Sequence, residues 1–171
     1  MLGINLIFAG FALSLNGLSY FVTVDERARS LVNVFVGAII AINAIMQTQI
    51  AIESSTHTAF GFAAATWLFA INYFVIAAHI HFKSNNWKVF GLYSVFASAI
   101  ALSFAIDNLL TSGPAVMLYL WLMWAILWAQ SGLAIMTGLK VVDRLTPYVL
   151  LANGIASTFV PGILMVHGMI L

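Results

Sequence analysis

Cysteine is absent from the chain. Disulfide frameworks, thiolate metal sites and cysteine nucleophiles are therefore excluded. Charge is scarce as well: six Lys and Arg and five Asp and Glu make up 6% of 171 residues. A soluble domain carries about a quarter charged residues. Six basic side chains form no groove for a polyanion, so nucleic acid is not expected as a partner. What fills the chain instead is apolar, 63% of all residues. A domain this small exposes too much of its surface to hide that content from water. The solvent is therefore lipid. No basic region precedes the first apolar stretch, and no small-residue cleavage site leads into a soluble domain. That stretch is expected to remain as a helix.

A spanning helix needs about 20 apolar residues. The apolar text breaks at Asp25–Arg29, Glu53–His57, Lys83–Lys88, Asp107–Pro114 and Lys140–Pro147. These breaks predict helices near 1–22, 30–52, 58–82, 88–106, 114–137 and 146–170. No segment shows the strand alternation of a β-barrel. The expected fold is an all-α integral membrane protein, a six-helix bundle forming one transmembrane domain over 1–171. Arg27, Arg29, Lys83, Lys88, Lys140 and Arg144 all fall in the first, third and fifth breaks. The positive-inside rule puts those loops in the cytoplasm and both termini outside. An even number of helices agrees with that orientation. TVDERA after the first helix is similar to VVDRLT after the fifth, and NGL at 16–18 to SGL at 131–133. These short matches leave duplication an even choice.

Ionisable groups inside a span are the usual mark of a proton or ion path. Only His79, His81 and His167 come near, and His79 and His81 read most simply as interfacial. Two residues apart on a helix, they point in different directions and make a poor zinc pair. No HExxH, GxSxG or paired-carboxylate pattern occurs, so neither catalysis, a metal nor a cofactor is expected. Uncharged polar residues are plentiful: Asn5, Ser14, Asn16, Asn33, Asn43, Gln47, Asn72, Gln130, Asn153 and Thr158. An unpaired amide in hydrocarbon costs several kcal/mol. Most of these are expected to bond between helices, and one or two to line a path.

The aromatic pattern is sharper. Trp121, Trp124 and Trp128 recur at steps of three and four along one helical stripe. They sit mid-helix rather than in the interfacial belts where Trp collects. Core filling and narrowing of a lumen both fit, and spacing alone favours the core. Phe69 and Tyr73 stand one turn apart on the third helix. Leu2, Leu6, Ala9, Leu13 and Asn16 form a heptad-like stripe that ends in an amide. Gly37, Gly132, Gly138 and Gly154 are candidate close helix contacts. Pro114 and Pro147 fit helix starts. Pro161 is expected to kink the sixth helix and free a carbonyl.

The opening MLGINLIFAGFALSLNGLSYFVTVDERARSLVNVFVGAI, the stripe WLMWAILW and the segment LTPYVLLANGIASTFVP resemble the AmiS/UreI family. That family comprises bacterial urea channels and the amide-transport proteins of amidase gene clusters. The resemblance covers nearly the whole chain. It implies a hexameric ring in the bacterial cytoplasmic (inner) membrane, one pore per protomer and a centre plugged by lipid. It implies aliphatic pore-lining positions at Leu2, Leu6 and Leu13, with Asn16 closing their stripe. It implies aromatic lining at Phe69 and Tyr73 and constriction tryptophans at Trp121, Trp124 and Trp128. The implied function is passive conduction of urea, and of short amides, with a functional link to a cytoplasmic urease or amidase. The alternative is a coupled secondary transporter of short aliphatic amides that supplies such an amidase. The outer loops are short, and Asn153 stands where an acid-gated relative has a carboxylate. Both departures predict conduction without acid gating.

Overall fold

The structure is a computed structural model and describes residues 1–170, which are helical with short turns. Leu171, the last residue of the expected domain, lies outside the described residues. Six helices follow one another: α1 Leu2–Leu18, α2 Glu26–Ser54, α3 His57–His81, α4 Lys88–Leu110, α5 Ala115–Thr137 and a sixth. The sixth is built from α6 Lys140–Ala152, a π-helical segment Asn153–Phe159 and α7 Val160–Val166. Five of the six are long and apolar enough to cross a membrane. α1, with 17 residues, sits at the short end of the range of about 17–25 for a span.

The chain divides into two compact units. In the unit around Asp25–Ser84, α2 and α3 form a hairpin. Asp25 caps α2 by accepting the backbone N–H of Arg27 at 2.7 Å and of Ala28 at 3.0 Å. The Ala28 bond and then the Arg27 bond hold its carboxyl below the ordinary value. Glu26 occupies the first turn and pairs with Arg29 at 2.6 Å. The charge in this run suggests a loop. A capping carboxylate followed by Glu is equally a helix start, so α2 begins at Glu26. At the other end Ser55 turns left-handed at φ 52°, and the Thr56 hydroxyl caps α3 by accepting Ala59 N–H at 3.3 Å. Two residues thus reverse the chain. Ser30 donates across the hairpin to the Ala77 carbonyl at 3.0 Å, and Trp67 Nε1 to Thr48 Oγ1 at 3.1 Å.

The other unit holds α1, α4, α5 and the sixth helix. α4 packs on α5, α5 also on the sixth helix, and α1 along α6, the π segment and α7. Glycine permits the closest approaches. A β-carbon at Gly91 would sit 2.7 Å from Ile135, and one at Gly132 2.7 Å from Val95. α1 carries glycines every seven residues, and each faces the sixth helix. A β-carbon at Gly3 would meet Gly162 O at 2.9 Å, at Gly10 Gly154 O at 2.6 Å, and at Gly17 Leu151 at 2.9 Å. The partner numbers fall as the α1 numbers rise, so the two helices run antiparallel along a glycine seam. Gly154 is the one residue of this seam expected from the sequence; its partner Gly10, and Gly3 and Gly17 farther along α1, are not, although their spacing is plain in the text. Small residues matter here because lipid offers no hydrophobic force between helices, leaving close packing to hold them.

Three local expectations change. Gly138 makes no helix contact: it ends α5 at φ +65° with nothing within 4 Å of a β-carbon. The left-handed turn, which glycine adopts without strain, is its role. Pro147 lies inside α6 rather than at its start. The sixth helix begins at Lys140, with Asp143 in its first turn. Charged residues there suggest a loop, yet they suit an exposed helix start equally well. α1 ends at Leu18 and α4 runs on to Leu110.

Candidate functional site

The sixth helix is the shared neighbour of α1 and α5, whose apolar stripes carry most of the candidate residues. On α1, Leu6, Leu13 and Asn16 are buried and Leu2 is half-buried. The buried arc covers the glycine seam and the adjacent leucine stripe. The outward face carries Ile4, Phe8, Phe11 and Leu18.

On α5, Trp121, Trp124 and Trp128 are all buried. Trp121 meets Trp124 edge to face with centroids 5.0 Å apart, and stacks on Phe104 of α4 at 4.7 Å. Both separations lie in the range that aromatic pairs prefer. Phe104 is not among the residues expected from the sequence. It stands on the small-residue face of α4 formed by Ser94, Ala97, Ala101 and Ala105. A large ring one turn beyond Ala101 on such a face was the available signal. Ser98 reinforces the α4–α5 pair by donating to the Ala125 carbonyl at 2.9 Å.

In the α2–α3 unit, Tyr73 is buried and Phe69 half-buried. One turn toward the start of α3, Thr66 donates to Gln47 Oε1 at 2.6 Å. His79 places Nδ1 2.9 Å from the Val75 carbonyl of its own helix.

Five of the polar residues show two kinds of bonding. Gln47 and Gln130 bond between helices as expected; Gln130 Nε2 reaches Val142 O at 2.9 Å and Thr146 Oγ1 at 2.7 Å. Asn33, Asn153 and Thr158 turn back onto carbonyls of their own helix. Asn153 Nδ2 donates to Val149 O at 3.1 Å, and Ser157 Oγ donates to Asn153 Oδ1 at 2.9 Å. Asn153 is therefore held inside its own helix, in a neutral network. Among the described residues no three His, Asp or Glu gather as a metal would need.

Helices of this length, with an uncharged aromatic interior, define a multi-pass membrane protein. The chain belongs to the AmiS/UreI family: the profile described as AmiS/UreI family transporter matches residues 1–169. The family is one of transporters, and the protein is not an enzyme. A Mycolicibacterium smegmatis protein named for transport of amidate substrates is 26% identical over 97% of this chain and 76% of its own length. The acid-activated urea channel of Helicobacter pylori strain J99 is 28% identical over 94% of this chain and 95% of its own. The fold matches the electron cryomicroscopy structure of the Helicobacter pylori urea channel in its closed state with a TM-score of 0.86. That match covers all of both chains at 23% identity. The crystal structure of that channel matches with a TM-score of 0.83 over the same coverage.

Proposed function

We propose that the protein is a passive channel for urea and short amides, forming one pore per protomer in a hexamer of the bacterial cytoplasmic membrane. The observation that carries this reading is the buried tryptophan stripe of α5 in a chain whose spans hold no carboxylate or ammonium at mid-depth. Urea is flat, neutral and strongly hydrogen bonding. Bare lipid strips its water without replacement. An aromatic slot sandwiches the plane and leaves the amide edges to a few polar groups. An ion loses far more hydration than such a slot returns and is excluded. Leu2, Leu6, Leu13, Asn16, Phe69, Tyr73, Trp121, Trp124 and Trp128 are the proposed lining residues. Annular and central lipid would seal the ring, and a cytoplasmic urease or amidase would consume the permeant. The relatives named for urea and for amidate transport support both solute classes.

The test is stopped-flow uptake of urea and acetamide into proteoliposomes, with and without an imposed proton gradient. Equal rates in both conditions are expected. Dependence on the gradient would replace the channel with a coupled carrier. The same vesicles test gating. At the helix ends opposite the basic loops, the described residues include few acids or imidazoles: Glu53, His57, Asp107 and His167. Moving a gate from 1:99 to 99:1 takes about 5.5 kcal/mol, and one pKa unit supplies about 1.36. Urea rates at outside pH 7.5 and 5.0 are therefore expected to agree within about twofold. A tenfold rise at pH 5.0, removed by His57→Ala, would establish a gate.

The proposed orientation places both termini outside. A cysteine at Ser84, between Lys83 and Lys88, should then resist an impermeant thiol reagent on intact cells. Rapid labelling would reverse the topology.

A further inference from the structure

The sixth helix loses a backbone bond where it changes register. The segment ends in π register, where an N–H reaches the carbonyl five residues back: Val160 N–H goes to Ile155 O. The next N–H in that register would serve Ala156 O. It belongs to residue 161, which is proline and has none. Neighbouring carbonyls find hydroxyls within the segment: Thr158 Oγ1 donates to Asn153 O at 2.9 Å and closely to Gly154 O. Ser157 Oγ adds a bond to Asn153 O at 3.0 Å. Ala156 O instead receives the hydroxyl of Tyr119, at 3.1 Å from α5. Pro161 itself stands in the first turn of α7, where a missing N–H costs nothing. The carbonyl that Pro161 is expected to free thus finds its partner on the neighbouring helix.

Tyr119 lies two residues before Trp121, on a different face of α5. Its hydroxyl would have no water to meet in hydrocarbon, so a protein acceptor has full value there. Without that donor, Ala156 O has one backbone route to a partner. It takes the Val160 N–H in ordinary α register, which rotates everything beyond by about 100° per residue of shift. That rotation would carry Gly162 away from Gly3 and unseat the α1 seam.

Resting on the channel reading above, we propose that Tyr119 is a positioning residue for permeant selection. Its hydroxyl replaces the N–H that Pro161 lacks, holds the π register and fixes the sixth helix against the Tyr119–Gln130 face of α5, the helix whose other side carries the tryptophans. Tyr119 acts through Ala156 and touches no permeant.

The test uses the full-length protein in four forms: wild type, Tyr119→Phe, Pro161→Ala and the double variant. The Pro161→Ala change restores an N–H that can serve the helix internally, so the tyrosine hydroxyl becomes dispensable. Two quantities are read: the ratio of urea to propionamide uptake in proteoliposomes, and the melting temperature in detergent. With Pro161 in place, Tyr119→Phe is expected to shift the ratio by about three- to tenfold, the span of one ordinary hydrogen bond. The melting temperature should fall by about 2–4 °C. In the Pro161→Ala background both changes should nearly vanish. Equal losses in the two backgrounds would overturn the proposal. So would an unchanged ratio beside a lowered melting temperature, since Tyr119 would then serve stability alone. If Tyr119→Phe yields no folded protein, recovery on adding Pro161→Ala supports the assignment and failure to recover overturns it. Wild-type vesicles that pass neither solute would sink the channel reading itself, and the melting pair would still decide the bond.

Discussion

Gly10→Leu is expected to remove most of the folded protein. A β-carbon at this position would lie 2.6 Å from Gly154 O and 2.7 Å from both Phe159 N and Phe159 Cβ. The first two atoms are backbone and cannot rotate away. The helices must separate, and the seam then loosens at Gly3 and Gly17 as well. Overpacking a well-filled site costs about 1–3 kcal/mol where side chains can adjust. Here they cannot, so the upper end is the expectation. Retention on size-exclusion chromatography and the melting temperature in detergent check it. Each kcal/mol corresponds to about 2–4 °C in a chain of this size. Phe11→Leu, on the exposed face of the same helix, is the control and should melt near the wild type. A Gly10→Leu protein that also melts there would mean that α1 is seated elsewhere.

Trp124 is the second position of large effect. It is 1% exposed and packs edge to face on Trp121. Trp124→Ala removes a ring whose loss from a core costs about 3–5 kcal/mol. Stability alone therefore does not separate packing from permeation. Trp124→Phe keeps an aromatic plane and most of the volume while removing the indole N–H. In a folded Trp124→Phe protein, discrimination between urea and propionamide is expected to fall by about tenfold, the lower end of what one methylene-sized change in a pocket controls. Water leak should rise with it. Fluxes and ratio unchanged from wild type would return Trp124 to packing alone, and would take with it the central element of the proposed slot.

The number and order of helices were legible in the sequence because lipid is an undemanding solvent. It requires only that about 20 apolar residues follow one another and that charge stay outside. The same rule blurred the ends. Charged text at Asp25–Arg29 and Lys140–Arg144 suggests a loop, where a helix start accepts it equally well. The tryptophan stripe was legible from its spacing, and its burial on one face of α5 follows from helical geometry.

Spacing could not show which helix each face meets. Gly3, Gly10 and Gly17 announce a seam, but only packing reveals that the sixth helix fills it. Phe104 looked like any aromatic of an apolar span until it stacked on Trp121. The π segment is further still from the text. Pro161 declares that an N–H is missing, and nothing in the sequence says which carbonyl goes without it. That depends on whether the preceding turn counts four residues or five. In this chain, composition and periodicity determined the spans, the charge alternation and the aromatic stripe, since each is a property of one helix in lipid. Tertiary structure decided the register of the sixth helix and the Tyr119 bond that completes it, because a backbone carbonyl in hydrocarbon must find a donor and a neighbouring helix supplies it.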